Sequence, residues 1–109
     1  MLGFHVRIDR DGDAWTLSCG GELDISTAPR LDEAAELCFE SRPTSLYVDC
    51  RDVTFIDSSG LSALLRIARS ANEEGVPHNL VVSDQVLSVV THAGLLERLL
   101  LGTSSPAAV

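Results

Sequence analysis

No cluster of Lys and Arg occurs along this chain of 109 residues, and its formal net charge is −8. Nucleic acids are held by grouped cations that displace condensed counterions, so the shortage argues against a direct nucleic-acid surface. Acidic substrates and anionic membranes are disfavoured for the same reason. An uninterrupted apolar stretch of about 18 residues is also missing, which excludes a helical membrane span. Met1–Asp13 shows no basic region followed by a long apolar run, so no secretory leader is read and the cytoplasm is the expected location. There is no CxxC pair. The three cysteines fall in apolar-periodic segments, Cys19 and Cys50 in strands and Cys38 on a helix face, and are read as reduced core residues. His5, His78 and His92 have no paired spacing with them, so no metal or cofactor is expected. Repeats and internal linkers are absent too, which leaves one domain over residues 1–101, with 102–109 as a small, polar, flexible tail.

What is present is an apolar fraction of 45%, ordinary for a chain with a single core. Phe4, Val6 and Ile8 alternate with His5, Arg7 and Asp9, and the alternation resumes at Trp15, Leu17 and Cys19. This predicts a hairpin turned by Asp11-Gly12. Gly20-Gly21 is expected to free the backbone, and Ser26-Thr27-Ala28-Pro29 to start a helix over about Ala28–Glu40. Its core face would be Leu31, Ala34, Ala35 and Cys38, spaced for a 3.6-residue period. Arg42-Pro43 breaks that helix, and Ser45–Cys50 reads as a short central strand buried on both sides.

A second helix is expected after Asp57, with Leu61, Leu64, Leu65, Ala68 and Ala71 inward and Gly75 with Pro77 closing it. Asn79–Ser83 is the next strand. Ser83-Asp84 caps a third helix that carries Val86, Leu87, Val90 and Ala93 and ends at Gly94. Leu95–Leu101 is either a last short strand or an apolar closing segment. The fold class is therefore α/β: one small domain with a mixed β-sheet of four to five strands covered by about three helices.

The stretch Asp52–Leu61 joins a buried strand to a helix, where helix amides point outward. With Asp57 as N-cap, Ser58 becomes the first helical residue and exposes its hydroxyl beside unsatisfied amides. A phosphate there gains about 0.3–1 kcal/mol from the helix dipole and is repelled by Asp57, with Asp24 a second source of repulsion. Ordinary capping explains Asp-Ser-Ser equally well, and Gly60 serves either a partner's close approach or tight packing. Glu22 and Asp24 form either a carboxylate pair for acid/base work or a solvated loop. Trp15, Phe39 and Tyr47 are read as packing residues. Catalysis by Ser58 would need parts the chain lacks: there is no G-x-S-x-G elbow, no Gly-rich phosphate loop, and no histidine spaced to reach Ser58. The chain is not read as an enzyme.

Gly21-Glu22-Leu23-Asp24 and Asp57-Ser58-Ser59-Gly60-Leu61, in that order and on those elements, resemble the two motifs of STAS domains, the family of bacterial anti-sigma factor antagonists. Val53, Phe55 and Ile56 fit the apolar lead-in and Ala93-Gly94-Leu95 the late turn, so the resemblance covers roughly residues 4–101. It implies a transcription regulator that frees a sigma factor by binding an anti-sigma factor serine/threonine kinase and is released when that kinase phosphorylates it. The matching phosphorylation site is Ser58, with Asp24, Asp57, Ser59, Gly60 and Leu61 at the partner surface. The same resemblance leaves open a non-phosphorylated adaptor in another complex, such as a transporter. Many relatives carry a further helix where this chain has Gly102–Pro106. The oligomeric state is left open.

Overall fold

Alternation of apolar and polar residues near the amino terminus produces two strands, β1 (His5–Asp11) and β2 (Ala14–Leu23), paired antiparallel from His5 opposite Gly20 to Asp11 opposite Ala14 in the computed structural model, which describes residues 3–92. The turn sits one residue later than the sequence suggests. Gly12-Asp13 are its two central residues, and Gly12 takes φ of 63°, as a glycine-first two-residue hairpin turn requires. Gly20-Gly21 does not end β2. The strand runs on to Leu23 through register shifts beside each glycine, and at Gly21, with φ of 92°, an added Cβ would collide with the Gly3 carbonyl. Gly21 lies where the residues just before β1 cross its backbone, and Gly20 where the His5 ring and Asp52 Cβ close on it.

Helix α1 spans Ala28–Glu40 and buries Leu31, Ala34, Ala35 and Cys38, the face its 3.6-residue period defines. It ends where Arg42 adopts φ of 51° immediately before Pro43, which cannot continue a helix. Strand β3 spans Ser45–Ile56, twice the length expected from Ser45–Cys50. Polar Arg51 and Asp52 mask its continuation, because a register shift against β2 turns both outward before Val53 and Ile56 return to the core. Helix α2 (Ser58–Glu73), strand β4 (His78–Val82) and helix α3 (Asp84–His92) complete the described chain. Ser83 caps α3, its hydroxyl accepting from the Val86 amide at 3.3 Å and donating to the Val53 carbonyl at 2.7 Å. Ala93-Gly94, the segment Leu95–Leu101 and the tail 102–109 lie outside the described residues.

The sheet order is β1-β2-β3-β4, with β2, β3 and β4 mutually parallel and β1 antiparallel at one edge. Parallel neighbours need crossovers, and α1 and α2 supply them, packing against each other as they do so. The core between sheet and helices holds Leu17, Leu23, Leu31, Leu46, Val48 and Leu64, all essentially without solvent contact. Trp15 belongs to it, 9% exposed, with Arg10 stacked 5.1 Å from its ring, and Phe39 packs against its edge. Among the described residues no helix is long and apolar enough to cross a membrane.

Candidate functional site

Because β2 and β3 are adjacent and parallel, their carboxyl ends deliver two loops side by side. Leu23 lies opposite Ile56, and the Asp57 amide donates to the Leu23 carbonyl at 3.3 Å. The residues singled out in Gly21–Asp24 and Asp57–Leu61 are thus brought together at one rim of the sheet, as open α/β sheets place their sites.

Asp57 leaves the strand in an extended conformation, φ −113° and ψ −172°, and its carboxylate accepts from the Gly60 amide at 3.0 Å. That is the N-cap expected, and it makes Ser58 the first helical residue with its side chain exposed. Ser59 is half-buried. Gly60 and Leu61 are buried: Leu61 keeps 6% of its surface, and a Cβ on Gly60 would lie 2.5 Å from the Leu23 carbonyl oxygen and 2.8 Å from Ile56 Cγ1. Of the two readings of Gly60, close packing is the one the geometry supports. The open surface here is therefore Ser58, Ser59 and Asp57, with Gly60 and Leu61 holding the first turn from beneath.

Asp24 organises the neighbouring loop. One of its carboxylate oxygens accepts from the Ser26 hydroxyl at 2.7 Å, the Ser26 amide at 3.0 Å and the Thr27 amide at 3.2 Å. The Ser26 hydroxyl above all, helped by the two amides against a smaller opposing effect of burial, holds the Asp24 carboxyl below the usual carboxylate range. An acid or base poised near neutrality needs the opposite shift from that of Asp24, whose carboxylate is engaged in ordering its own loop. Among the described residues no hydrogen bond joins a histidine to Ser58.

Three residues of this rim escaped sequence reasoning. Thr27 precedes α1 but does not cap it with its hydroxyl. The hydroxyl turns back, donating to the Glu22 carbonyl at 2.7 Å and accepting from the Asp24 amide at 2.9 Å, which ties the loop to the end of β2. Ile25 is 76% exposed and Phe55 49%, two large apolar side chains facing water at the same end of the sheet. Ile25's signal was an isolated branched residue inside a polar loop. Phe55 had none, since in sequence it is one more apolar residue of the lead-in to the second motif.

The described geometry matches known proteins. The family model of the STAS domain fits residues 5–108. An anti-sigma-B factor antagonist of Staphylococcus aureus (strain NCTC 8325 / PS 47) is 28% identical over 95 residues, which are 86% of this chain and 88% of the relative. An anti-sigma-F factor antagonist of Mycobacterium tuberculosis (strain CDC 1551 / Oshkosh), RsfB, is 43% identical over 56 residues, 51% of this chain and 45% of the relative. The crystal structure of an anti-sigma factor antagonist from Mycobacterium paratuberculosis has the same fold, with a TM-score of 0.76 at 23% identity, covering 87% of this chain and 81% of the other. A mixed sheet, four-stranded among the described residues, with two motif loops meeting at its rim, together with a family match over nearly the whole length, makes this chain a member of the STAS domain family.

Proposed function

We propose that this protein is an anti-sigma factor antagonist: unphosphorylated, it binds an anti-sigma factor serine/threonine kinase in the cytoplasm and so frees a sigma factor, and phosphorylation of Ser58 ends the binding. The observation that carries this reading is the position of Ser58. Its hydroxyl is exposed at the first residue of α2, on a turn pinned by the Asp57 cap and by Gly60 packed under β2. A kinase can reach it without unfolding the domain. The relatives named as anti-sigma factor antagonists support the same reading.

The rim then acts as a docking surface whose charge is switched. Asp57 and Ser59 flank Ser58 in the chain, Asp24 lies in the loop that follows the adjacent strand, and Gly60 and Leu61 pack beneath the helix turn. Phosphate adds close to two negative charges beside Asp57. Inside a closed interface that charge must be desolvated or left repelling the partner, at a cost of several kcal/mol, and about 1.4 kcal/mol is tenfold in affinity. One phosphate is sufficient to release the partner.

Phosphate-affinity electrophoresis of the protein after incubation with cell extract and ATP tests the first step. The parent runs as two species and Ser58→Ala as one, whereas a non-phosphorylated adaptor, such as a transporter subunit, gives one species in both. The second step is read from binding to the captured kinase. Ser58→Ala binds as the parent does and resists release by ATP, while Ser58→Asp binds at least about tenfold more weakly. Parent-like affinity of Ser58→Asp defeats the charge mechanism.

A further inference from the structure

The proposed switch leaves one pair of nucleophilic groups unused. Cys19 of β2 and Cys50 of β3 both point into the core, 2% and 0% exposed, and their sulfurs are 3.4 Å apart. From this contact we infer that Cys19 and Cys50 are a reversible modification site, closing to an intramolecular disulfide when the protein meets a hydroperoxide. The inference is independent of the phosphorylation of Ser58.

The sulfur contact and the ordinary spacing of paired strands are compatible with the bond. Neighbouring strands run about 4.8 Å apart, inside the range of about 4.4–6.8 Å between Cα atoms that disulfides accept. The sulfurs must approach from 3.4 Å to about 2.05 Å. The pair sits where the ladder is irregular: Ser18 faces Asp49 while Gly20 faces Asp52, so β3 contributes one residue more than β2 across the interval, and the cysteines are not locked into a regular register. The irregularity surrounds the cysteine pair itself. Beyond it the two strands lead to Asp24 and to Ser58, so the bond would clamp the strands that carry both loops of the rim.

The chemistry balances with the hydroperoxide as oxidant. One thiol, deprotonated, attacks the peroxide; the O–O bond breaks, water or an alcohol leaves, and that sulfur becomes a sulfenic acid. The second sulfur then displaces the hydroxyl as water, the S–S bond forms, and two electrons have passed from the thiols to the peroxide. The neighbouring Cys19 thiol, together with burial, holds the Cys50 thiol well above its ordinary range, so thiolate is scarce and the reaction proceeds at the pace of local strand opening. Cys38 is an internal control: it is buried on α1, its thiol pushed up to about 11 by burial, and no described sulfur lies beside it.

The test exposes the full chain to hydrogen peroxide, unfolds it in denaturant with N-ethylmaleimide, and maps the peptides by mass spectrometry. The parent and Cys38→Ser should yield a Cys19–Cys50 linked peptide, with Cys38 of the parent still alkylated. Dithiothreitol should return three alkylatable thiols in the parent and two in Cys38→Ser, and Cys50→Ser should give no link. Three alkylated thiols in the parent, under peroxide that fully oxidises free glutathione in the same tube, overturn the inference. So does a link through Cys38, or sulfinic and sulfonic acids at Cys19 and Cys50 in place of the bond. The decisive comparison is between the parent and Cys38→Ser, both of which keep the strand pair intact.

Discussion

At Gly60 a single hydrogen atom decides how α2 leaves β3. A methyl group there would press on the Leu23 carbonyl oxygen at 2.5 Å, a backbone atom held in the sheet, and on the Leu23 and Ile56 side chains. Gly60→Ala should therefore destabilise the domain by about 1–3 kcal/mol, the usual range for overpacking, even though alanine is the better helix former. A urea midpoint equal to the parent's would contradict this packing. Removing the cap by Asp57→Ala should cost about 0.5–2 kcal/mol and loosen the turn that presents Ser58. Amide exchange at Gly60, faster in the variant, is the direct readout. Of these two residues Asp57 was legible outright, since a cap is a relation between near neighbours, whereas the sequence left Gly60 with two readings. Gly60's role depends on Leu23, far away in the chain.

Helices α1 and α2 are joined on their outer sides as well as through the core. Arg66 reaches across from α2 to Asp32 of α1, its Nη2 donating to Oδ2 at 2.8 Å and its Nε to Oδ1 at 3.3 Å. Both side chains are partly exposed, so the two-point geometry is worth only about 0.2–1 kcal/mol. A double-mutant cycle with Asp32→Asn and Arg66→Gln should return a coupling in that range that shrinks as salt is raised. Coupling that is zero at low salt would leave the helix pair to core packing alone. The helices were legible from periodicity and caps, and α1 keeps the bounds read from it. Strands were harder. Two glycines in β2 and the polar Arg51-Asp52 in β3 look like loop chemistry, and only pairing with a neighbouring strand makes them part of a sheet.

The whole molecule carries 16 acidic residues, and among the described ones folding lowers the carboxyls of Asp49 and Asp24. Arg51 beside Asp49, donating hydrogen bonds at 2.9 and 3.0 Å, holds the Asp49 carboxyl below its ordinary value, and the Asp24 loop does the same for Asp24. For a carboxylate depressed in the folded state, the stabilisation is present above the unfolded value near 3.8 and is lost as pH falls through the lower folded value. Stability should accordingly decline below about pH 4, where the unfolded chain binds more protons than the native one. Both groups are near the surface, so the slope is shallow. Urea unfolding at a series of pH values checks it: Asp24→Ala should be less stable than the parent at neutral pH and show a flatter acid limb. An equally steep limb would mean that Asp24 does not take part.

The sequence by itself determined the element types, the bounds of α1, the Asp57 cap and the first-turn position of Ser58. Each of these follows from periodicity or from hydrogen bonds between residues a few positions apart. It also held the two motifs from which the family could be read. Tertiary structure decided the rest: the full length of β3, the exposure of Ile25 and Phe55, the packing of Gly60 under Leu23, and the meeting of Cys19 with Cys50. Those features are fixed by which strand lies beside which and in what register, and register is set by how the whole core closes over residues distant in the chain.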